Sequence, residues 1–215
     1  MRLVLIRHGE TDHNKDQLTL GRADVPLNER GRAQAATVAA SFRAAPAAIY
    51  SSPLRRAVEI AEATSATVAV PVTIEPALIE MDIGEMEHMR GAELRERYPE
   101  FLARWLSADC GEARMPGGET LVEVQERAWA SVLEIEKLHR GQDVVAVTHN
   151  FVILTLLCRA LNLPLADFRR LRQALAAKTV IDVRPERSTL LQLNDTSHLI
   201  AAGLADDLMG REART

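Results

Sequence analysis

Guanidinium and imidazole side chains follow three apolar runs in this sequence of 215 residues. Arg7 and His8 come directly after the first run. Arg56 comes shortly after the second run, and His149 ends a later one. Guanidinium groups bind phosphate oxygens strongly, and a neutral imidazole is a good nucleophile. These residue types in these places indicate a pocket for an anion, and a phosphoryl group fits that chemistry best.

Six apolar runs have the length and composition of β-strands. Helical stretches separate most of them, so the alternation predicts βαβ units on a largely parallel sheet. The last two runs are separated only by 184–188, which is too short for a parallel crossover and predicts an antiparallel hairpin at one edge. The predicted fold class is therefore α/β, a three-layer sandwich around a mostly parallel six-stranded sheet with an antiparallel edge strand. The runs are Leu3–Ile6, Ala48–Ser51, Val70–Ile74, Val144–Thr148, Thr179–Val183 and Thr189–Leu193.

Ligands of open α/β sheets bind where the carboxyl ends of the strands and the starts of the helices meet. Asn28 is expected to cap a helix that runs to about Phe42. Ser52, followed by a proline, predicts a second helix start, and Thr120 with Glu123 predicts a capping box. Helix N-termini add N–H donors and partial positive charge at this edge, which favours an anion there.

The segment 81–118 does not follow the alternation of strands and helices. It ends in Pro116, Gly117 and Gly118, a typical breaker sequence. We interpret it as a small helical lid insertion over the sheet. The length of the chain favours one domain, so we expect residues 1–215 to form a single domain that carries this lid.

Composition limits the classes of partner. A formal net charge of -4 argues against broad nucleic-acid binding, which needs a basic face. No apolar run approaches the roughly 18 residues of a membrane span, and we expect no membrane association and a cytoplasmic location. Cys110 and Cys158 are the only cysteines, so neither a disulfide framework nor a paired-cysteine metal site is expected.

Two other chemistries use the same residue types. A metal site is disfavoured because the HExxH motif is missing and Arg7 beside His8 would repel a dication. A serine nucleophile with His149 as its base is disfavoured because Ser51 and Ser52 lie in "SSPLRRA" and not in a GxSxG elbow. Both rank below a phosphate site, and we expect no metal.

Six ordered motifs resemble those of the histidine phosphatase superfamily, also called the phosphoglycerate mutase-like family, over nearly the whole chain. The resemblance implies that His8, Glu80 and His149 are catalytic: His8 accepts the phosphoryl group, and Glu80 donates the proton. The phosphate-binding residues that it implies are Arg7, Asn14, Arg56 and His149. The motifs are "RHGET" with Asn14, "GRADVPLNERG" at 21–31, "YSSPLRRA" at 50–57, "LIEMDIGEME" at 78–87, "PGGET" at 116–120 and "VTHNFVI" at 147–153.

The activity expected from this resemblance is hydrolysis of a small-molecule phosphomonoester through a phosphohistidine, without any cofactor. Mutases of the family typically carry a longer insertion between the acid and the second histidine, so the compact 80–149 stretch favours the phosphatase branch. Phosphoglycerate mutase-type transfer and a non-catalytic phospholigand-binding regulatory module remain as alternatives. Dimers are common in the family, which leaves a homodimer open.

Overall fold

The computed structural model describes residues 1–184 and 186–205, which contain a six-stranded mixed sheet. The strand order is β3-β2-β4-β1-β5-β6. Parallel pairing joins β3 to β2, β2 to β4 and β4 to β1, whereas β5 is antiparallel to both β1 and β6. The strands are β1 Arg2–Arg7, β2 Ala48–Ser51, β3 Val72–Ile74, β4 Asp143–Thr148, β5 Lys178–Asp182 and β6 Thr189–Asp195.

The predicted six strands and the antiparallel hairpin at one edge are confirmed. The largest shift in a strand start is in β3, which begins at Val72 and not at Val70. Ala69 has a left-handed φ of 57° where the preceding helix ends, and Pro71 has no N–H for the ladder. Pairing therefore begins only after the proline.

Eight α-helices and four short 3-10 helices are present in the described residues. The 3-10 helices are Pro76–Leu78, Gly84–Met86, Cys110–Glu112 and Leu165–Arg170. The α-helices are α1 Asp12–Lys15, α2 Glu29–Ala40, α3 Arg55–Val68, α4 Gly91–Arg97, α5 Pro99–Trp105, α6 Leu121–Leu138, α7 Asn150–Ala160 and α8 Ser197–Ala201.

Two of the three predicted helix starts are confirmed. The Asn28 side chain accepts from the Gly31 N–H at 2.9 Å and caps α2, which ends slightly earlier than expected, at Ala40. Thr120 and Glu123 form the predicted reciprocal capping box at the start of α6, with bonds of 3.1 and 2.9 Å. Each cap satisfies backbone donors that the helix itself cannot.

The prediction that Ser52 caps α3 is wrong. The helix begins at Arg55, and its first N–H donates to Asp24 Oδ1 at 2.7 Å. A carboxylate from a distant loop therefore replaces the local serine cap. The Ser52 hydroxyl lies instead 2.6 Å from an imidazole nitrogen of His149.

The sheet separates two apolar cores, which gives the predicted three layers. Leu5 and Ala146 belong to the core on the side of α6 and α7. Ile6 and Val147, one position further along the same strands, belong to the core on the side of α2 and α3. This alternation follows the two-residue period of a strand buried on both faces.

The 81–118 segment contains α4, α5 and two of the 3-10 helices. Trp105 of α5 contacts Phe151 of α7 edge to face, with ring centroids 5.9 Å apart. At the other end, the Thr19 N–H donates to the Met89 carbonyl at 2.9 Å. The segment is thus packed on the layer of α6 and α7, and its action as a lid stays a prediction.

No helix in the described part of the chain is long and apolar enough to cross a membrane.

Candidate active site

His8 follows β1 directly and is held between two strands of the sheet. Its backbone N–H donates to the Thr148 carbonyl at 2.9 Å, and only 3% of its surface is exposed. The imidazole Nδ1 lies 2.8 Å from the Gly9 carbonyl. A carbonyl oxygen only accepts, so Nδ1 carries the proton and donates. In the neutral ring, Nε2 therefore keeps its lone pair.

Two glycines allow the loop after His8 to press against the start of α2. A Cβ on Gly9 would lie 2.9 Å from the Gly31 carbonyl oxygen, and one on Gly31 would lie 2.1 Å from the Glu10 carbonyl oxygen. Neither position accepts a side chain without backbone movement. The close approach fixes the loop that orients the His8 ring.

Arg56 is fully buried on the first turn of α3. Its Nη1 donates to the Ala23 carbonyl at 2.8 Å and its Nη2 to the Gly21 carbonyl at 2.6 Å. Burial is the main cause that lowers the pKa of Arg56 to about 10, so the group stays charged at neutral pH. The two carbonyls hold a permanent cation inside the protein.

Arg7 supplies a second cation beside His8. Its Nη1 donates to the Gln173 carbonyl at 2.6 Å. Burial, followed by the charges of Arg56 and Arg7, lowers the pKa of His8 well below its usual value. The imidazole is therefore neutral and nucleophilic at physiological pH.

His149 directly follows β4 and faces His8, with ring centroids 5.2 Å apart. The ring is fully buried; Nε2 contacts Ser52 Oγ at 2.6 Å, and Nδ1 has no hydrogen-bond partner among the described residues. Burial lowers the pKa of His149 well below its usual value, and the charges of Arg56, His8 and Arg7 act in the same direction. Two neutral imidazoles and two guanidinium groups thus lie together, an arrangement suited to an anion.

Glu80 lies in the same electrostatic environment and is 3% exposed. One carboxyl oxygen accepts from the Met81 N–H at 2.8 Å and the other from the Phe151 N–H at 3.4 Å. Burial raises the pKa of Glu80, although the Met81 N–H and the charges of Arg56 and Arg7 oppose the rise. The site therefore contains a carboxyl group that holds its proton to a higher pH than usual.

The backbone of Glu80 is held by two arginines that share one carboxylate. Arg22 Nε and Arg127 Nη2 donate to the Glu80 carbonyl at 3.3 and 3.2 Å. Glu119 accepts from Arg22 at 2.8 Å and from Arg127 at 3.1 Å. It also accepts from the Asp82 N–H at 2.9 Å. These bonds attach residues 80–82 to α6 and to the 21–31 loop.

We expect Glu119→Gln to lower stability by about 1–2 kcal/mol, because an amide N–H₂ would face an arginine donor in either orientation. Turnover should fall about tenfold as the hold on Glu80 loosens. Urea unfolding and steady-state kinetics measure the two effects. Glu126→Gln, an exposed change on the same helix, is the control. Unchanged stability and turnover in the Glu119 variant would contradict the role of this network.

Asn14 is placed differently from the other predicted site residues. Its side-chain oxygen accepts from the Thr11 N–H at 3.1 Å as part of the capping box of α1. No hydrogen bond joins Asn14 to His8, Arg56 or His149 in the described residues. Its amide N–H₂ is left to donate to a ligand, and its contact with phosphate stays a prediction.

The structure brings Arg7, His8, Arg56, Glu80 and His149 into one buried cluster. Sequence reasoning missed the contributions of Ser52 and of the Arg22, Glu119 and Arg127 network. Glu119 lies in the quoted "PGGET" motif, which was the available signal for it. Nothing in the local sequence links Arg22 to Arg127, since they meet only in the folded chain.

The fold is α/β, and it gathers two arginines, two histidines and a buried carboxyl group near the carboxyl ends of parallel strands, as expected of an enzyme that acts on phosphoryl groups. The family profile described as the histidine phosphatase superfamily (branch 1) matches residues 3–196. The chain belongs to this superfamily, and it is an enzyme of the histidine phosphatase class.

Curated relatives include both phosphatases and mutases. Phosphoserine phosphatase 1 of Hydrogenobacter thermophilus is 35% identical over 204 residues, which cover 93% of this chain and 94% of that protein. A probable phosphoglycerate mutase of Salmonella paratyphi C is 30% identical over 210 residues, which cover 95% of this chain and 97% of that protein. The relatives therefore support phosphatase chemistry without deciding the substrate.

Solved structures share the fold over almost their whole length. A phosphoserine phosphatase mutant from Entamoeba histolytica, in complex with phosphoserine, superimposes with a TM-score of 0.83 at 25% identity. The match covers 92% of this chain and 98% of that one. The predicted α/β fold is thus that of the histidine phosphatases.

Proposed function

We propose that the protein hydrolyses a small phosphomonoester through a phosphohistidine formed on His8. The observation that carries this proposal is the arrangement of the His8 ring. Its Nδ1 donates to the Gly9 carbonyl, so Nε2 is the atom left to attack. The ring faces His149, and the charges of Arg7 and Arg56 act on it.

In the first step, Nε2 of His8 attacks phosphorus, the bond to the ester oxygen breaks, and the leaving alkoxide takes a proton from Glu80. Arg7, Arg56 and His149 bind the equatorial oxygens, where charge is spread in the transition state. In the second step, water attacks phosphorus, the P–N bond breaks, and the Glu80 carboxylate takes the proton of that water. Inorganic phosphate leaves, and both residues return to their starting states.

Phosphoserine is the first substrate to test, because a phosphoserine phosphatase is among the relatives. A phosphate-release screen should include phosphoserine, phosphoglycerates, sugar phosphates and nucleotides. We expect kcat/KM for one small alkyl phosphate to exceed the others. If none of these compounds released phosphate, and p-nitrophenyl phosphate did not either, the proposed hydrolysis would be contradicted.

Phosphoglycerate mutase-type transfer is the second candidate, because one relative is named a probable phosphoglycerate mutase. It differs from hydrolysis only in the group that accepts the phosphoryl from His8. Incubation with 3-phosphoglycerate separates the two: a mutase yields 2-phosphoglycerate, whereas a phosphatase yields glycerate and phosphate. A purely regulatory binding module is less well supported, because binding alone does not need the buried acid Glu80. A homodimer and a cytoplasmic location stay predictions.

The pH profile follows from opposite pKa shifts. The pKa of His8 is lowered, so the ring becomes protonated and loses its nucleophilic lone pair only well below its usual pH range. The pKa of Glu80 is raised, so its proton is lost only above the usual carboxyl range. We expect kcat/KM for an alkyl phosphate to show a mildly acidic to neutral optimum. A rate still rising well above neutral pH would count against Glu80 as the acid.

Removal of divalent metal ions is expected to leave activity unchanged. The guanidinium groups of Arg7 and Arg56 supply the positive charge for the phosphoryl oxygens, and the neutral His149 ring adds an N–H donor. Assays with p-nitrophenyl phosphate in EDTA and in added magnesium should give the same kcat. Loss of activity in EDTA with recovery in a divalent ion would contradict the proposed mechanism.

A further inference from the structure

We propose that Ser52 is a positioning residue that selects the tautomer of His149, so that the neutral imidazole presents Nδ1–H to the phosphoryl group. The inference rests on the proposed function for the identity of the ligand. Its structural basis is independent: Ser52 Oγ lies 2.6 Å from Nε2, and the buried Nδ1 has no protein partner.

The direction of the Ser52 bond follows from counting hydrogens. The Ser52 oxygen already accepts from the Leu54 N–H at 3.3 Å, and the hydroxyl has a single proton to donate. If that proton goes to Nε2 of His149, the single donor of the hydroxyl is satisfied, and the Nδ1–H of His149 is left to donate to a ligand. A phosphoryl oxygen can then accept a hydrogen bond from that Nδ1–H.

The opposite tautomer leaves two polar groups without a suitable hydrogen-bond partner. If Nε2–H donated to Ser52 Oγ, the serine proton would have no acceptor among the hydrogen bonds of the described residues. In addition, Nδ1 of His149 would offer a lone pair to a phosphoryl oxygen, which is itself only an acceptor at full charge. Buried unsatisfied groups of this kind destabilise a site, so the first tautomer is favoured.

A doubly protonated ring would remove the choice, because both nitrogens would then donate. His149 is surrounded by the cations Arg56 and Arg7 and by the His8 ring, and it is fully buried. Burial and these neighbours disfavour a third positive charge on the His149 ring before a phosphoryl group binds. A neutral ring donates from one nitrogen only, so its single proton must be on Nδ1 if His149 is to donate to the phosphoryl group.

Strands β2 and β4 hold the Ser52 hydroxyl 2.6 Å from Nε2 of His149. Ser51 at the end of β2 pairs with Val147 of β4, and the Ser52 N–H donates to the Val147 carbonyl at 2.9 Å. The serine is fully buried. Since His149 directly follows β4, the register of two neighbouring strands sets the contact, and a flexible loop does not.

The test is the ¹⁵N chemical shifts of the His149 ring in the whole protein, read from long-range ¹H–¹⁵N correlations. We expect the proton on Nδ1 in the wild type. Ser52→Ala should move it partly or wholly to Nε2 and lower kcat/KM for p-nitrophenyl phosphate at least about tenfold, as removal of one oxyanion donor does. Ser52→Thr keeps a hydroxyl and should restore both.

Ser51→Ala is the matched control, because it removes a neighbouring buried hydroxyl that donates to the Ser52 carbonyl and not to His149. It should leave the His149 tautomer unchanged. A wild-type ring protonated on Nε2, or an unchanged tautomer in Ser52→Ala, would overturn the proposal. These shifts need no turnover, so they fail separately from the proposed function, which phosphate-release assays test. If Ser52→Ala does not fold, the wild-type spectrum and Ser52→Thr still decide.

Discussion

Replacing His8 by alanine is expected to lower kcat for p-nitrophenyl phosphate by about 10⁴-fold or more, as loss of a nucleophile does in other covalent enzymes. The alanine has no atom to accept the phosphoryl group. The remaining cations still bind phosphate, so water alone would have to attack. Steady-state phosphate release measures the loss, and acid-sensitive labelling after a short reaction detects the phosphohistidine in the wild type.

A control variant and a binding measurement distinguish loss of the nucleophile from damage to the site in His8→Ala. His139→Ala changes a half-buried imidazole whose Nε2 lies 3.1 Å from the Tyr50 hydroxyl, at the C-terminal end of α6 and away from the cluster, and should retain activity. Phosphate binding by His8→Ala, measured by calorimetry, should persist because Arg7 and Arg56 remain. Substantial phosphate release by His8→Ala, or a label that survives acid in the wild type, would eliminate His8 as the nucleophile.

Replacing Glu80 by glutamine is expected to have an effect that depends on the leaving group. With an alkyl phosphate, kcat should fall about 10²–10⁴-fold, because the basic alkoxide must leave without a proton. With p-nitrophenyl phosphate, the loss should be much smaller, because nitrophenolate is a weak base and leaves unassisted. Glutamine keeps an oxygen that can accept from the Met81 N–H at 2.8 Å and loses only the longer bond from the Phe151 N–H at 3.4 Å.

The comparison of the two substrates separates proton donation from misfolding. A damaged pocket would lower both rates equally, whereas a missing acid lowers mainly that of the alkyl phosphate. Glu85→Gln, an exposed change in the same segment, should leave both rates near wild type. An equal loss with both substrates in Glu80→Gln would contradict its assignment as the general acid.

The sequence predicted the sheet well because its signals are local. Each strand is a short apolar run, and the caps of α2 and α6 lie within three residues of the backbone groups that they satisfy. The cap of α3 was mispredicted because it comes from Asp24, far away in the chain. Ser52 was locally plausible as a cap, but its hydroxyl is used by His149 in the fold.

Glu80 shows the limit of reading a site from residue types. Five carboxylates lie close together in this part of the chain, and only the family resemblance distinguished Glu80 from Glu75, Asp82, Glu85 and Glu87. In the fold, Glu80 is buried and the other four are half-buried or exposed. Burial raises the pKa of Glu80, and that burial depends on contacts between distant parts of the chain that no short sequence pattern contains.

The two hydrogen bonds that Arg22 and Arg127 donate to the Glu80 carbonyl have a consequence for divergence within the superfamily. Arg22 lies in the loop before α2 and Arg127 lies on α6, so the two bonds attach Glu80 to parts of the chain that come before and after the 81–118 segment. Since neither bond involves α4 or α5, we expect these helices to accept changes without displacing Glu80, the proposed proton donor. Exchanging α4 and α5 between relatives is therefore a rational route to new substrate specificity with the proposed general acid left in place.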